Sequence, residues 1–142
     1  MEIEIRNLQF DTFPGDVMIR SARETAALIG FDLDLLSLVI VDDERMRELN
    51  LRFRNIDRTT DVISFEADRD EDEASGEIII SLPTARRQAQ AAGHDTATEL
   101  AWLVSHGLLH VAGMDDTTED ELAAMIDLQS ETMKRMGLQV HP

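Results

Sequence analysis

The spacing of hydrophobic positions changes several times along the chain, and each change marks an element. At the amino end Ile3, Ile5, Leu8 and Phe10 alternate with polar residues, which predicts a strand over 2–10. Pro14 then opens a helix whose inward face is Val17, Ala22, Ala26, Leu28 and Ile29, and Gly30 stops it. Leu35 to Val41 (LLSLVIV) is unbroken and rich in β-branched side chains, which predicts a strand covered on both faces and therefore a sheet with helices packed against it. Asp42 and Asp43 stand where an N-cap belongs, before a helix of about three turns carried by Met46, Leu49 and Phe53.

Residues 54–60 read as a polar loop. Val62, Ile63 and Phe65 predict a third strand, and Ile78 to Ile80, introduced by Gly76, a fourth. The acidic run Asp68 to Glu73 joins them as the solvated turn of a hairpin, without a calcium-loop pattern. Beyond Pro83 the pattern is helical: Thr84 to Ala92, stopped by Gly93; Asp95 to Ala112, broken at Gly113; and a last helix from Thr118. Thr118 and Glu121 form a T-x-x-E capping box there, and Met125, Leu128, Met133 and Met136 face inward. The order β-α-β-α-β-β-α-α-α predicts an α+β domain over 1–142, a small mixed four-stranded sheet packed by about five helices.

Composition narrows the function. The chain has 142 residues, 43% hydrophobic and 30% charged, enough for one domain with its own core and unlike a disordered acidic tail. Its 29 acids against 13 Lys and Arg leave a net charge of -16, which disfavours a broad grip on nucleic acid or anionic membrane. Cysteine is absent, so disulfides and thiolate zinc sites are excluded and a metal must be held by His, Asp or Glu. The opening MEIEIRNLQF lacks the apolar stretch of a secretory signal, and no run approaches the roughly eighteen apolar residues of a membrane span. The expected compartment is the cytoplasm.

His106 and His110 are four apart on a predicted helix, one turn above each other on one face, as two imidazoles sharing an ion must be. Gly113 then lets the chain fold back, so that Asp115 or Asp116 can approach the same ion. Three protein ligands with an open fourth position mark a catalytic rather than a structural site. The spacing alone also fits two ordinary helix histidines with hydrogen-bond partners. A peptidase motif H-E-x-x-H is ruled against, because Gly107 stands at the glutamate.

Arg45, Arg47, Arg52, Arg54 and Arg58 are five of the 13 cations, gathered within fourteen residues. Guanidinium groups grip phosphate oxygens two at a time. Pairing with Asp42, Asp43, Glu44 or Glu48 accounts for Arg45 and Arg47, whereas Arg54 and Arg58 fall past the helix in a loop. Thr59 to Phe65 reads as a capped turn before an edge strand, and His94 and His141 as surface residues.

Four segments in order, Leu49-Asn50-Leu51-Arg52-Phe53-Arg54, Thr60-Asp61-Val62-Ile63-Ser64-Phe65, Gly76-Glu77-Ile78 and His106 through Asp116, make the chain resemble the YbeY family of metal-dependent endoribonucleases, the rRNA maturation factors of bacteria. The resemblance implies a zincin-like mixed sheet flanked by helices, with a zinc ion in a cleft. It also implies a single-strand-specific endoribonuclease in 16S rRNA 3′-end maturation and ribosome quality control. Its partners would be ribosomal RNA, the small ribosomal subunit and a ribosomal or assembly-factor protein. His106 and His110 fall on the first two metal ligands and Arg54 on the arginine that serves RNA binding or catalysis.

The third ligand departs from the family: Asp116 stands where it has histidine, and Met114 where an aromatic residue is common, while Asp115 falls on the family's own aspartate, behind the ligands. Aspartate ligates zinc at about the same distance as histidine. It also removes one unit of the ion's positive charge, which weakens the pull on a phosphoryl oxygen. A noncatalytic factor that binds rRNA or a ribosomal protein is the alternative, and a hydrolase of small phosphate esters a third. The charge of -16 then leaves room for a local basic patch around Arg52, Arg54 and Arg58, since seven acids lie between Glu66 and Glu77 and seven more between Asp115 and Glu131. Binding to naked RNA should be weak and depend on ribosomal context.

Overall fold

The unbroken apolar run Leu35–Val41 lies inside a sheet, paired along both edges. The computed structural model describes residues 1–141, and its elements follow as β1 (Glu2–Asn7), α1 (Gly15–Ile29), β2 (Leu35–Val41), α2 (Asp43–Arg54), β3 (Val62–Ser64), β4 (Asp68–Arg69), β5 (Ala74–Ser81), α3 (Leu82–Ala92), α4 (Thr96–Val111) and α5 (Glu119–Arg135). The sheet order is β1-β2-β5-β3, with β4 also paired to β5. β1, β2 and β5 are parallel, with Ile5 opposite Leu38 and Leu38 opposite Ile78. β3 and β4 run antiparallel to β5, with Val62 opposite Ile80 and Asp68 opposite Ser75.

The mixed α+β architecture with five helices is the expected one, and the sheet has five strands among the described residues rather than four. The additional strand, β4, is two exposed polar residues inside the acidic run, so no apolar alternation announces it. The first strand stops at Asn7, because the Asn7 carboxamide accepts from the Gln9 amide and turns the chain outward. Leu8 and Phe10 are therefore exposed. β3 likewise ends at Ser64, leaving Phe65 outside it. Leu28 and Ile29 of α1 and Leu128 of α5 are only half-buried.

Strand alternation splits the core in two. Leu36, Leu38, Ile40, Ile78 and Ile80 face the helical layer of α1, α4 and α5, while Val39, Val41, Ile63 and Ile79 face Met46 of α2. Each such buried side chain contributes about 1.5–3 kcal/mol. α4 is the middle of its layer, held to α1 by the Ser21 hydroxyl donating to the Ala101 carbonyl at 2.6 Å and by Thr25 donating to Ser105 at 2.8 Å.

Against the sheet, α4 packs through Gly107. A Cβ added there would stand 2.7 Å from Ile78 Cγ2, so helix and strand are closer than any larger residue allows. This contact sets the height of α4 above β5, and with it the positions of the residues that flank Gly107. Gly107→Ala should destabilise the fold by about 1–3 kcal/mol through overpacking. In urea titrations, the loss in a Gly107→Ala/Ile78→Ala double variant should be smaller than the sum of the two single losses. A strictly additive result would show that this contact does not set the packing.

Candidate metal centre

Helix α4 is started by the Asp95 side chain accepting from the Thr98 amide, and it ends just before Gly113. Gly113 takes a φ of +96°, a left-handed conformation that costs a non-glycine residue, and the chain doubles back over the last turn. In this reversal the Met114 amide donates to the Leu109 carbonyl and the Gly113 amide to that of His110. Asp116 consequently returns to the helix face that carries both histidines, and the Thr118–Glu121 capping box then starts α5.

The ligand atoms of His106, His110 and Asp116 all lie within 4.8 Å of one another. His110 Nε2 is 3.1 Å from His106 Nε2 and 3.2 Å from Asp116 Oδ2, and His106 Nε2 is 3.4 Å from the same oxygen. The other ring nitrogens define the tautomers. His110 Nδ1 lies 2.9 Å from the Met114 carbonyl oxygen, which can only accept. His106 Nδ1 lies 3.1 Å from Gln129 Oε1, and the Gln129 amide nitrogen donates to the Trp102 carbonyl, which orients that oxygen toward the ring. Both Nδ1 atoms therefore donate, which places each Nε2, the nitrogen left to act as a ligand atom, toward the Asp116 carboxylate. Two imidazole nitrogens and a carboxylate oxygen converging on one point are a donor set that a cation satisfies, so the residues present fit a bound metal. The C-terminal end of α4, where unpaired carbonyls gather negative partial charge, adds to that preference.

These groups form part of a cleft of about 350 Å³ together with Arg54, Asp61, Val62 and Ser64. The side chains of His106, His110 and Asp116 are 21%, 25% and 36% exposed, so a substrate can reach them. Arg54 makes no salt bridge among the described residues.

A family model described as Endoribonuclease YbeY matches residues 4–137. The chain belongs to the YbeY endoribonuclease family. It is 44% identical to the Endoribonuclease YbeY of Gloeobacter violaceus, over 72% of this chain and 57% of that protein. With the namesake from Synechococcus elongatus it shares 42%, over 74% and 64% of the two chains. It therefore spans less than two thirds of the length of these two relatives. The Endoribonuclease YbeY of Moorella thermoacetica is 38% identical over 97% of this chain and 99% of that one. The fold also matches a solution structure of TM1509 from Thermotoga maritima, with a TM-score of 0.61 at 23% identity, covering 94% of this chain and 91% of that one.

Of the two aspartates that could approach the histidines of this YbeY chain, the reversal brings in Asp116 and leaves Asp115 exposed. Arg54 reaches the cleft from the last turn of α2, not from a loop, because Asn55 supplies the left-handed cap (φ 59°) and the helix runs through Arg54. Arg58 lies outside the cleft. Arg47 pairs with Asp57 through contacts of 2.7 and 3.2 Å, in place of the acids within its own helix, and this guanidinium holds the Asp57 carboxyl below the usual carboxylate range. His94 is no surface residue. The first turn of α4 covers it, its side chain is 4% exposed, and its Nε2 lies 2.6 Å from Glu99. His141 is exposed, as expected.

Four supporting residues have roles that the sequence does not assign to them. Asp61 and Ser64 line the cleft within the expected capped turn, where Asp61 accepts from the Val62 amide. Gln129 is 1% exposed and interrupts the inward stripe between Met125 and Met133, and a polar residue in an apolar stripe implies a buried partner. Asp43 accepts from the hydroxyls of Ser81 at 2.7 Å, Thr84 at 2.7 Å and Thr59 at 3.1 Å, while Arg87 pairs with its other oxygen at 2.9 Å. It thereby ties the segment leading into Asp61 to β5 and α3.

Burial pushes the Asp43 carboxyl up, and the bonds from Ser81, Thr84, Arg87 and Thr59 together outweigh it, holding the group below its ordinary value. A lowered folded-state pKa stabilises the protein above the unfolded pKa, and that contribution is lost as pH falls through the folded one. Asp43→Asn should therefore lower stability near neutral pH by about 1–3 kcal/mol and flatten the acid limb of a stability-versus-pH curve. An acid limb as steep as the parent's would contradict it. Gln129→Leu, which removes the acceptor behind His106, should weaken metal affinity by about 10- to 100-fold in chelator competition. Unchanged affinity would show that the carboxamide does not orient the ring.

Proposed function

We propose that the chain is a zinc-dependent endoribonuclease that cuts single-stranded RNA, with the metal held by His106, His110 and Asp116. The observation that supports it best is the convergence of three ligand atoms beside an arginine with no carboxylate partner among the described residues, in a cleft that substrate can enter. Two imidazoles and one carboxylate suit zinc and leave a position for substrate. A cleft of about 350 Å³ is of the size that takes a nucleotide. When bound, zinc supplies a Lewis acid that polarises a phosphoryl oxygen and activates water.

The chain's own residues do the remainder. Gln129 and the Met114 carbonyl hold the two imidazoles so that their free nitrogens converge. Asp116 lowers the net charge of the site by one unit. Arg54 grips phosphate oxygens and offsets the negative charge that grows on them as the bond to the leaving oxygen breaks. With no carboxylate partner among the described residues, its donors are available for that purpose.

The biological reading we infer is 16S rRNA 3′-end maturation and ribosome quality control in the cytoplasm, on rRNA of the small ribosomal subunit and with a ribosomal or assembly-factor protein as a further partner. The net charge of -16 supports the need for such a context, since it opposes salt-driven binding to free RNA and leaves recognition to the few cations near the cleft.

Metal analysis and RNA cleavage, measured side by side on the parent chain, His110→Ala and Asp116→His, test the proposal. The parent should carry one zinc per chain and cut unpaired RNA, with activity abolished by chelation and restored by zinc. His110→Ala should lose the metal and roughly 100-fold or more of the cleavage rate, whereas Asp116→His should keep both. Full cleavage by metal-free His110→Ala would overturn the mechanism. RNA binding without cleavage would favour the noncatalytic assembly factor, and turnover of mononucleotide esters alone the small-ester hydrolase.

A further inference from the structure

Phe53 and Phe65 stand half out of the surface, 49% and 45% exposed, with their rings edge to face at 5.2 Å. The apolar cluster on that side of the sheet, Val39, Val41, Met46, Ile63 and Ile79, closes without them. Each is the chain neighbour of a cleft residue, since Phe53 precedes Arg54 and Phe65 follows Ser64. Beyond the rings lies a second depression of about 440 Å³, whose lining includes both phenylalanines, Leu35, Ser37, Glu66 and Glu77. The ring pair is thus a ridge on an acidic recess, and its chain neighbours Arg54 and Ser64 line the metal cleft. The Arg52 guanidinium sits 5.6 Å from the Phe53 centroid, and neither Arg52 nor Arg54 has a carboxylate partner among the described residues.

This distribution of charge and apolar surface has a directional meaning. Glu66 and Glu77, with Asp68 and Glu73 at the same recess, repel phosphate, while Arg52 beside the Phe53 ring and Arg54 in the cleft attract it. A nucleotide whose phosphate lies on Arg54 is then turned so that its base, the planar part that carries no charge, meets the ridge. Aromatic rings in this position stack unpaired bases of any sequence. We propose that Phe53 and Phe65 form a base-stacking subsite for the unpaired nucleotide next to the phosphate held at Arg54. The proposal rests on the ribonuclease reading above and deepens it, because it assigns the surface beside the cleft to a base.

The test measures binding by fluorescence anisotropy, with the zinc-loaded chain and a short labelled 2′-O-methyl oligonucleotide that a gel shows to stay intact through the titration. A parallel set carries one abasic site at each position in turn. Phe53→Ala and Phe65→Leu should each weaken binding by about 5- to 150-fold, the range of one stacked base. Phe53→Trp should bind at least as tightly as the parent. Leucine keeps the apolar bulk of Phe65, so retained affinity in Phe65→Leu would mean that the ring only fills space, and would overturn the proposal. For the parent, the abasic site should cost a similar factor at one or two positions only, and the variants should show no further loss there. Equal losses on intact and abasic ligands would also overturn it. Because the readout is binding, failure of the chain to cut ordinary RNA would defeat the ribonuclease reading and still leave the stacking question decided.

Discussion

The approach of α4 to β5 through Gly107 governs the geometry of the site. A side chain at this position would meet Ile78 at 2.7 Å, so the helix can lie this close only where the backbone is bare. His106 precedes this contact by one residue and His110 follows it by three, so both rings are carried at a height that the sheet determines. β3, paired to the same β5 strand, brings Val62 and Ser64 to the opposite wall of the cleft. Floor and wall are thus referenced to one strand, and a shift of that strand would move both together. Glycine between the histidines therefore has a structural reason here, independent of its effect in excluding the peptidase motif.

Behind the ligands, polar groups take over the work of positioning. The Met114 carbonyl and the Gln129 carboxamide each accept from one Nδ1, so ring orientation is a matter of backbone reversal for His110 and of α5 packing for His106. The two histidines are consequently supported by different parts of the fold. The reversal depends on a positive φ at Gly113, and the carboxamide on a side chain buried between α4 and α5. Asp43 has a comparable role on the far side, where its carboxylate collects donors from the α2–β3 segment, β5 and α3.

How far these features could be read in the sequence follows from how local their causes are. β2 was legible end to end because a run of β-branched residues buried on both faces leaves no alternation to misjudge. The capping box at Thr118 and the histidine pair are likewise short-range patterns. Met46, Leu49 and Phe53 recur at helical spacing, and that spacing alone does not say which of them the core receives. The face they share continues past the packed cluster and out over the recess, which only the register of α2 on the sheet reveals. The sequence does not show that α2 runs through Arg54, because the helix ends at an asparagine in the left-handed region, a weaker signal than glycine. Gln129 lies 23 residues from the histidine it supports, on another helix, and its partner is set by tertiary packing alone.

The reversal at Gly113 also has a consequence for how such a site can change. It places all of the candidate ligands within His106 to Asp116, one short stretch of chain, whereas Arg54 and the phenylalanine ridge belong to α2 and the end of β3. The candidate ligands and the surface proposed to meet a substrate therefore lie on separate segments, joined through the sheet. A substitution at 116 would then change the candidate ligand set without moving Arg54 or the two phenylalanines, and changes in α2 or at the end of β3 would leave that set as it is.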